Sequence, residues 1–196
     1  RGNLNDAMME QVADKGNGNY HYIDTQREAK KVLVEEMTGT LVTIAKDVKI
    51  QVEFNPAAVK AYRLMGYENR AVADQDFRND QVDAGEIGAG HEVTALYEVE
   101  LAPNAGAKLC TVRIRAKQPR GSEAAERAFP FPAGALASRF DGASRDFRFV
   151  TAVIGAAELL RQSEHARSWS LDAITEIAKS AAGEDAERLE FVSLLE

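Results

Sequence analysis

The apolar positions of this chain recur at a helical period near both ends and alternate like those of strands in between. The first apolar group, which starts at Leu4, predicts a helix over residues 4–14. A capping box formed by Thr25 and Glu28 starts a second helix, which we expect to run to about Ala45. The expected buried face of this second helix consists of Ala29, Leu33, Met37, Leu41 and Ile44.

A strict alternation of apolar and polar residues follows, and it is typical of a half-buried strand. The apolar set is Val48, Ile50, Val52 and Phe54. The polar set between them is Lys49, Gln51 and Glu53. We therefore predict that the apolar set faces the core of a sheet and that the polar set faces solvent.

Three further strands are predicted over residues 62–67, 91–101 and 108–116. A polar loop is predicted over residues 69–83, and residues 104–106 suit a hairpin turn between the last two strands. Four strands with short turns predict an antiparallel sheet, arranged as a sandwich.

The segment after these strands contains turn formers and then prolines. Residues 117–127 are charged and rich in turn formers, which indicates turns. The Phe-Pro-Phe-Pro run at 129–132 predicts a short edge segment, because proline is excluded from central strands.

The last fifty residues return to a helical period. Helices are predicted from Arg145 to about Gln162, from the cap Ser170 to Gly183, and over residues 184–195. The expected apolar stripe of the first helix consists of Phe147, Val150, Val153, Ile154, Ala157 and Leu160.

The order of elements predicts an α+β chain in three parts. Residues 1–45 place a short strand, at 20–23, between two helices with no local strand to pair with, so we expect the tail of a truncated α/β domain whose sheet lies upstream. Residues 46–143 form an antiparallel β-sandwich-like domain, and residues 144–196 form a helical subdomain packed on it. The chain begins at Arg1, without a methionine or a signal peptide, so we expect a fragment of a longer protein. Its first 24 or so residues should then be repacked on the β-domain, paired with another molecule or poorly ordered.

Composition narrows the classes of function. The net charge of the 196 residues is -7 and the isoelectric point is near 5.1, which disfavours nucleic-acid binding because that needs a basic surface. No run of about 18 apolar residues occurs, so we expect no transmembrane helix. The single cysteine, Cys110, excludes an internal disulfide and is expected to be buried in a strand.

Asp83, Glu86 and His91 are the closest approach to a metal-ligand set, because two carboxylates and an imidazole lie within nine residues. Three glycines lie among them, and glycine permits the positive φ that tight turns and bulges need. The favoured interpretation is a glycine-rich turn whose polar groups bond locally, and a ligand site is the alternative.

Other candidates have a structural and a functional interpretation. Trp169 precedes the helix cap Ser170, so it is expected to staple the helix entry to the core, with partner binding as the alternative. The acidic loop is expected to be solvated, since it lacks the ligand spacing of a calcium loop. Its polar residues are Asp74, Asp76, Asn79 and Asp80. The three histidines lie in different predicted elements, which disfavours a catalytic triad.

Several stretches resemble a known family. Residues 4–11, Leu-Asn-Asp-Ala-Met-Met-Glu-Gln, and 13–20, Ala-Asp-Lys-Gly-Asn-Gly-Asn-Tyr, resemble the end of a bacterial von Willebrand factor type A domain. Residues 45–56, 83–99 and 147–161 resemble the C-terminal domain of uncharacterised function that follows it in those proteins. The resemblance covers nearly the whole chain.

The resemblance implies a function mainly through what lies upstream. Type A domains of this family usually bind a divalent cation through an Asp-x-Ser-x-Ser motif, and this chain contains no such motif. The resemblance therefore implies that any cation is held by the upstream domain and that this chain carries no cofactor. We predict a non-catalytic interaction or scaffold module that binds a protein partner at the cell envelope, in the periplasm or secreted. A metal-binding or hydrolytic domain using Asp83, Glu86 and His91 is one alternative, and an intracellular complex-assembly factor is another.

Overall fold

The structure is a computed structural model that describes residues 5–16, 18–37, 41–66, 72–103, 106 and 108–196. Parts of several predicted features lie outside the described residues: Leu4, Asn17, residues 38–40, Tyr67, residues 69–71, and residues 104–105 of the hairpin turn. Within the described residues the fold is α+β with antiparallel strands and helices, as predicted. The chain divides into two compact units, made of residues 1–60, 69–94 and 101–132, and of residues 61–68, 95–100 and 133–196. The three-part division of the sequence stays a prediction.

The first unit begins with helices α1 (Asp6–Lys15) and α2 (Gln26–Lys30), the second of which continues as a π-helical turn over Lys31–Glu35. The capping box is confirmed in part, since the Thr25 hydroxyl accepts a hydrogen bond from the Glu28 N–H at 3.1 Å. The prediction of a helix to Ala45 is wrong, because a strand already begins at Thr43. Val42, Thr43 and Ile44 form a β-branched run that favours the sheet ladder over a helix.

The predicted strand at 20–23 is also wrong, since these residues have no regular secondary structure. A four-residue strand is stable only when a neighbour supplies its hydrogen bonds, and none of the described strands pairs with it. The Tyr20 hydroxyl instead donates a hydrogen bond to the Asp6 carboxylate, which ties the segment to α1.

The described residues form six strands: β1 (Thr43–Phe54), β2 (Val59–Met65), β3 (Ile87–Gly88), β4 (Leu96–Leu101), β5 (Lys108–Lys117) and β6 (Ala124–Pro132). A four-stranded sheet with the order β3-β1-β5-β6 belongs to the first unit, and its neighbouring strands are antiparallel. Strands β2 and β4 form a separate two-stranded sheet. The sandwich arrangement stays a prediction.

Three details of the strand prediction are wrong. Residues 91–95 are not part of β4, which starts at Leu96. Strands β4 and β5 do not form a hairpin, because β4 pairs with β2 while β5 lies between β1 and β6. Residues 117–127 are not all turn, because β6 already begins at Ala124, opposite Lys117. The prolines are correctly placed on an edge strand, since β6 is the outermost strand of its sheet.

Three helices of the second unit confirm the predicted positions: α3 (Arg145–Leu160), α4 (Leu171–Ala182) and α5 (Ala186–Leu195). The hydroxyls of Ser144 and Ser170 cap α3 and α4, and Gly183 ends α4 with a φ of 67° that glycine adopts readily. No helix among the described residues is long and apolar enough to cross a membrane.

The predicted stripe of α3 faces largely the wrong way. Phe147, Val153 and Leu160 are exposed, whereas Ala152 and Ala156 are buried. The core of this unit consists of Ala152, Ala156, Ile174, Ala178, Ala182 and Val192, with Phe149, Trp169 and Phe191 among the larger side chains packed around it. Small side chains let the helices approach closely, so the contact runs along the alanines rather than along the largest apolar residues.

Candidate functional site

A network of polar side chains in the first unit lies between one face of its four-stranded sheet and the loop of residues 72–86, here called the covering loop. Alternate residues of antiparallel neighbours point to the same side of a sheet, so three strands contribute to this charged face. Its members are Asp47, Lys49, Gln51 and Glu53 of β1, Arg113, Arg115 and Lys117 of β5, and Glu126 of β6.

Lys49 lies at the centre of this face and is only 3% exposed. Its ammonium donates hydrogen bonds to the backbone carbonyls of Asp76 at 3.4 Å and Asn79 at 2.5 Å in the covering loop. The prediction that Lys49 faces solvent is therefore wrong, and its neighbour Ile50, predicted to be core, is 49% exposed. Carbonyl oxygens can replace the water that a buried ammonium loses, which is why the loop can cover it.

The covering loop is attached at several further points. The Arg115 guanidinium donates to both carboxylate oxygens of Asp80, at 2.9 and 3.0 Å. The Gln51 side chain donates to Asp74 at 3.0 Å, and Lys117 donates to the backbone carbonyl of Asp80 at 3.3 Å. The loop predicted to be solvated is thus bound to the sheet through its acidic residues.

A chain of ion pairs crosses the sheet at the other end of this face. Arg113 contacts Glu53 at 2.9 Å and Glu126 at 3.1 Å. Arg78 of the covering loop reaches the same Glu126 at 2.9 Å. The hydrogen bond from Arg78, helped by Arg113, lowers the pKa of Glu126, although partial burial works in the opposite direction.

A bulge in β1 positions one more pair. The register shifts between Lys46 and Lys49, and Asp47 adopts a φ of 51°, a conformation that aspartate tolerates better than most residues. The shift brings its carboxylate to 2.7 Å from the Lys117 ammonium, whose hydrogen bond lowers the pKa of Asp47.

Apolar burial completes the attachment of the loop. Phe77 is almost fully buried, and the Arg78 guanidinium lies 5.8 Å from the centre of its ring. Fixing a loop without regular secondary structure costs conformational entropy, and the ion pairs and the buried ring offset that cost together. The charged groups of this face are therefore bound mainly to one another.

The three metal-ligand candidates have separate partners. Asp83 interacts with Asp47, whose pKa it helps to lower. Glu86 accepts from the Thr43 hydroxyl at 3.4 Å, and the His91 ring nitrogen Nδ1 accepts from the Gly88 N–H at 3.3 Å. No group of three or more His, Cys, Asp or Glu side chains among the described residues is arranged to hold a metal ion. The structure does not bring Asp83, Glu86 and His91 together, and the positive φ of Gly90 is what a tight turn there requires.

The remaining candidates occupy structural positions. Trp169 packs against the helical core, and its indole lies so close to Gly155 that a β-carbon there would overlap the ring. This arrangement agrees with the staple interpretation, while partner binding by Trp169 stays a prediction. Cys110 is buried as predicted, and burial raises the pKa of its thiol. The His21 ring nitrogen Nδ1 lies 3.9 Å from the Glu36 carboxylate, and the His165 ring nitrogen Nε2 lies 3.8 Å from the Glu164 carboxylate. These two pairs are far apart from one another in the sequence.

A second polar site, in the second unit, was not predicted. Glu158 of α3 is 3% exposed and accepts from the Arg63 guanidinium at 3.0 Å and from the Ser163 hydroxyl at 2.9 Å. Arg63 also pairs with the exposed Glu98 at 3.0 Å. Burial alone would raise the pKa of Glu158, but the bonds from Ser163 and Arg63 outweigh it and lower the pKa. The signal in the sequence was a carboxylate inside the apolar run of α3.

Comparison with known proteins places this chain among relatives without an assigned activity. A family model described as "Uncharacterized protein YfbK, C-terminal" matches residues 39–107 and 100–196. The chain is 44% identical over 215 residues to the "Uncharacterized protein YfbK" of Escherichia coli (strain K12). That match covers 99% of this chain but 36% of the relative, so the chain spans about a third of the relative's length. No solved structure gives a significant match.

Proposed function

The chain belongs to the family of YfbK C-terminal domains, and from this premise we propose that it is a non-catalytic interaction module of a longer bacterial protein that also carries a von Willebrand type A domain. In this proposal the N-terminal helices complete the type A domain, and the rest of the chain is the module attached to it.

One observation carries the proposal. The N-terminal segment exposes the apolar side chains that its helical pattern predicts to be buried. Val12 is 59% exposed, Leu33 is 60% exposed, and Met8 and Met37 are also largely exposed. Val34, which lies outside the predicted buried face, is 62% exposed as well. Clustered exposed apolar side chains mark surfaces that bind another part of a protein.

Two further observations support it. The resemblance of residues 4–11 and 13–20 to the end of a type A domain falls on this same exposed segment. The relative from E. coli extends well beyond the third that this chain spans, which leaves room for such a domain. The proposal places any divalent cation in that upstream domain and the whole protein at the cell envelope, where the module binds a protein partner.

The test is complementation in trans. The part of the E. coli relative outside the matched region is co-expressed with this chain carrying an affinity tag, and the amount of untagged fragment recovered with it is measured. The wild-type chain should recover the fragment, and Leu33→Ser with Val34→Ser should reduce recovery at least tenfold. Leu160→Ser is the matched control, since Leu160 is 84% exposed on α3, far along the chain from the N-terminal helices.

Equal recovery by the wild type and the Leu33→Ser, Val34→Ser variant would contradict the proposed docking of the N-terminal helices. The envelope location is tested separately, by fractionating E. coli cells and detecting the full-length relative. Its recovery in the cytoplasmic fraction would favour an intracellular assembly factor instead.

A further inference from the structure

Two arginine side chains at the start of α3 reach the end of α4, and all the residues involved belong to the second unit. The Arg148 guanidinium donates to the Ser180 hydroxyl at 3.3 Å. The Arg145 guanidinium occupies the space that a β-carbon on Gly183 would need. The two arginines are three residues apart, as are the two residues that they contact, and residues at this spacing are neighbours on a helix. The two guanidinium groups therefore lie about one helical turn apart along the same seam.

Neither guanidinium group has a carboxylate partner among the described residues, since none of the ion pairs there includes Arg145 or Arg148. Asp146, the carboxylate between them in the sequence, lies instead 2.7 Å from the Arg188 guanidinium of α5. The Asp185 carboxylate accepts two N–H groups at the start of α5 as its cap. Two adjacent positive charges thus have no counter-ion within this part of the structure, in a chain whose net charge is -7.

One donor of this arginine pair is also buried without an acceptor. The Nε atom of Arg148 is buried, and nothing among the described residues accepts its N–H. Buried donors are nearly always paired, so an unpaired one marks a place where a bound molecule can complete the bonding. Arg145, Ser180 and Gly183 are exposed, so an acceptor can approach from solvent. A rotation of the Arg148 guanidinium would then turn its Nε–H toward that acceptor.

We propose that Arg145 and Arg148 form a binding site for a phosphate group. Two adjacent guanidinium groups need about two negative charges, and a phosphate monoester carries about -1.5 to -2 at pH 7 on three acceptor oxygens. Each planar guanidinium can donate two parallel hydrogen bonds to such a group. A single carboxylate carries one charge, so it would leave one of the two arginines without a counter-ion. The site goes beyond the proposed function and does not depend on the docking of the N-terminal helices.

The test is a titration of the full 196-residue chain with inorganic phosphate at constant ionic strength, followed by the arginine Nε–H signals in ¹H–¹⁵N correlation spectra. The Arg145 and Arg148 signals should shift together and saturate, and the thermal midpoint should rise with phosphate. Arg145→Gln and Arg148→Gln should each raise the phosphate concentration for half-saturation about tenfold or more, because each removes a charged donor. Arg167→Gln is the matched control, since Arg167 is an exposed arginine of the same unit, and it should bind like the wild type.

Two further ligands define the chemistry of the site. Acetate at the same ionic strength should give only weak shifts, and binding of acetate as tight as that of phosphate would overturn the assignment to phosphate. N-acetyl-phosphoserine amide is the third ligand. Tighter binding of this monoester than of inorganic phosphate would uphold the site and assign its ligand to a phosphorylated side chain, whereas equal binding would uphold it for free phosphate.

Far-UV circular dichroism shows whether each variant is folded. If a glutamine variant does not fold, Arg145→Lys replaces it, because lysine keeps the charge but not the planar fork, and it should bind phosphate several-fold more weakly than the wild type. Shifts that do not saturate in the wild type, or that are equal in the wild type and the Arg145 variant, would overturn the proposal. So would a wild-type chain that binds no phosphate, because a carboxylate elsewhere in the folded chain would then already neutralise the two arginines.

Discussion

The sheet of the first unit and the helices of the second unit bury their surfaces in opposite ways. The helices meet along small side chains, with Ala152, Ala156 and Ala178 in the core, and their larger apolar residues pack around this line or remain exposed. The sheet buries charged side chains, among them Lys49 under the covering loop, and leaves Ile50 of the same strand half-exposed.

This difference shows what a pattern of apolar residues can and cannot predict. Periodicity identifies which residues share a face, and it did so in both units. Whether that face is buried depends on what is placed against it. In the helical unit the neighbouring helices decide, and in the sheet a loop of the same chain covers the charged face because it carries complementary carboxylates and carbonyls.

The largest expected effect concerns the close contact between the helices of the second unit, and enlarging Gly155 tests that contact. The Gly155 backbone lies against the Trp169 indole, so a β-branched side chain would overlap the ring and force the helices apart. We expect Gly155→Val to lower the free energy of unfolding by about 3 kcal/mol. Urea denaturation followed by tryptophan fluorescence and far-UV circular dichroism measures the change. Gly142→Ala is the control, because no atom lies near the added β-carbon there, and an equally large loss in the control would refute close helix contact as the cause.

The sheet side of the comparison is tested by two adjacent residues of β1. Lys49→Met removes the donor from two carbonyls of the covering loop, and we expect a loss of about 2 kcal/mol. Ile50→Thr replaces a half-exposed residue with one of similar strand propensity. We therefore expect the free energy of unfolding of the isolated chain to fall by less than about 1 kcal/mol.

Chemical denaturation of the two variants under the same conditions decides the ranking. A larger loss for Ile50→Thr than for Lys49→Met would mean that the apolar set is the core after all. Faster hydrogen exchange in residues 72–86 of the Lys49→Met variant would show that the loop is released locally.

The buried pair of the second unit offers a smaller effect with a pH signature. We expect Glu158→Gln to lower the free energy of unfolding by about 1.5 kcal/mol at pH 7. This loss is smaller than for a buried pair without other partners, because Arg63 retains its ion pair with Glu98 and the glutamine can still accept a hydrogen bond from Ser163. The pKa of Glu158 is lowered in the folded state from a usual value of 4.5, so its contribution is complete above that value and is lost as the pH falls through the folded pKa.

The difference in unfolding free energy between the wild type and Glu158→Gln should therefore be constant from pH 7 to about pH 5.5 and shrink at lower pH. Denaturation curves at several pH values provide the measurement. A difference that stays constant below pH 4, or that grows, would rule out an ionised Glu158 as the source. Glu164→Gln, on an exposed carboxylate in the same unit, is the control and should change little.

The smallest expected effect concerns reactivity alone. The Cys110 thiol is buried in β5 and its pKa is raised by burial, so the folded chain should react with a thiol reagent at pH 8 at least tenfold more slowly than the urea-unfolded chain. Absorbance after addition of an aromatic disulfide reagent follows the reaction. Equal rates in both states would mean that the Cys110 thiol is freely accessible to solvent in the folded chain.

Local chemistry made the helices of the second unit predictable. Helix α4 begins after Ser170 and ends at Gly183, as the sequence pattern predicts. This prediction succeeds because helix caps depend on residues within a few positions of the helix end. The edge position of the Phe-Pro-Phe-Pro run was also predictable, since a missing N–H is a property of proline itself. The candidate site was predictable only as a list of polar residues.

The sequence by itself thus determined the α+β class, the helix bounds of the second unit and which residues of β1 share a face. Only the tertiary structure decided that Lys49 is buried, that Ile50 is exposed, and that Asp83, Glu86 and His91 have different partners. Periodicity and capping are set by neighbours along the chain, whereas burial and charge pairing depend on groups such as Asp80 and Arg115, which lie 35 residues apart. The pairing of such distant residues follows from the register of the sheet and the path of the covering loop, neither of which a local pattern contains.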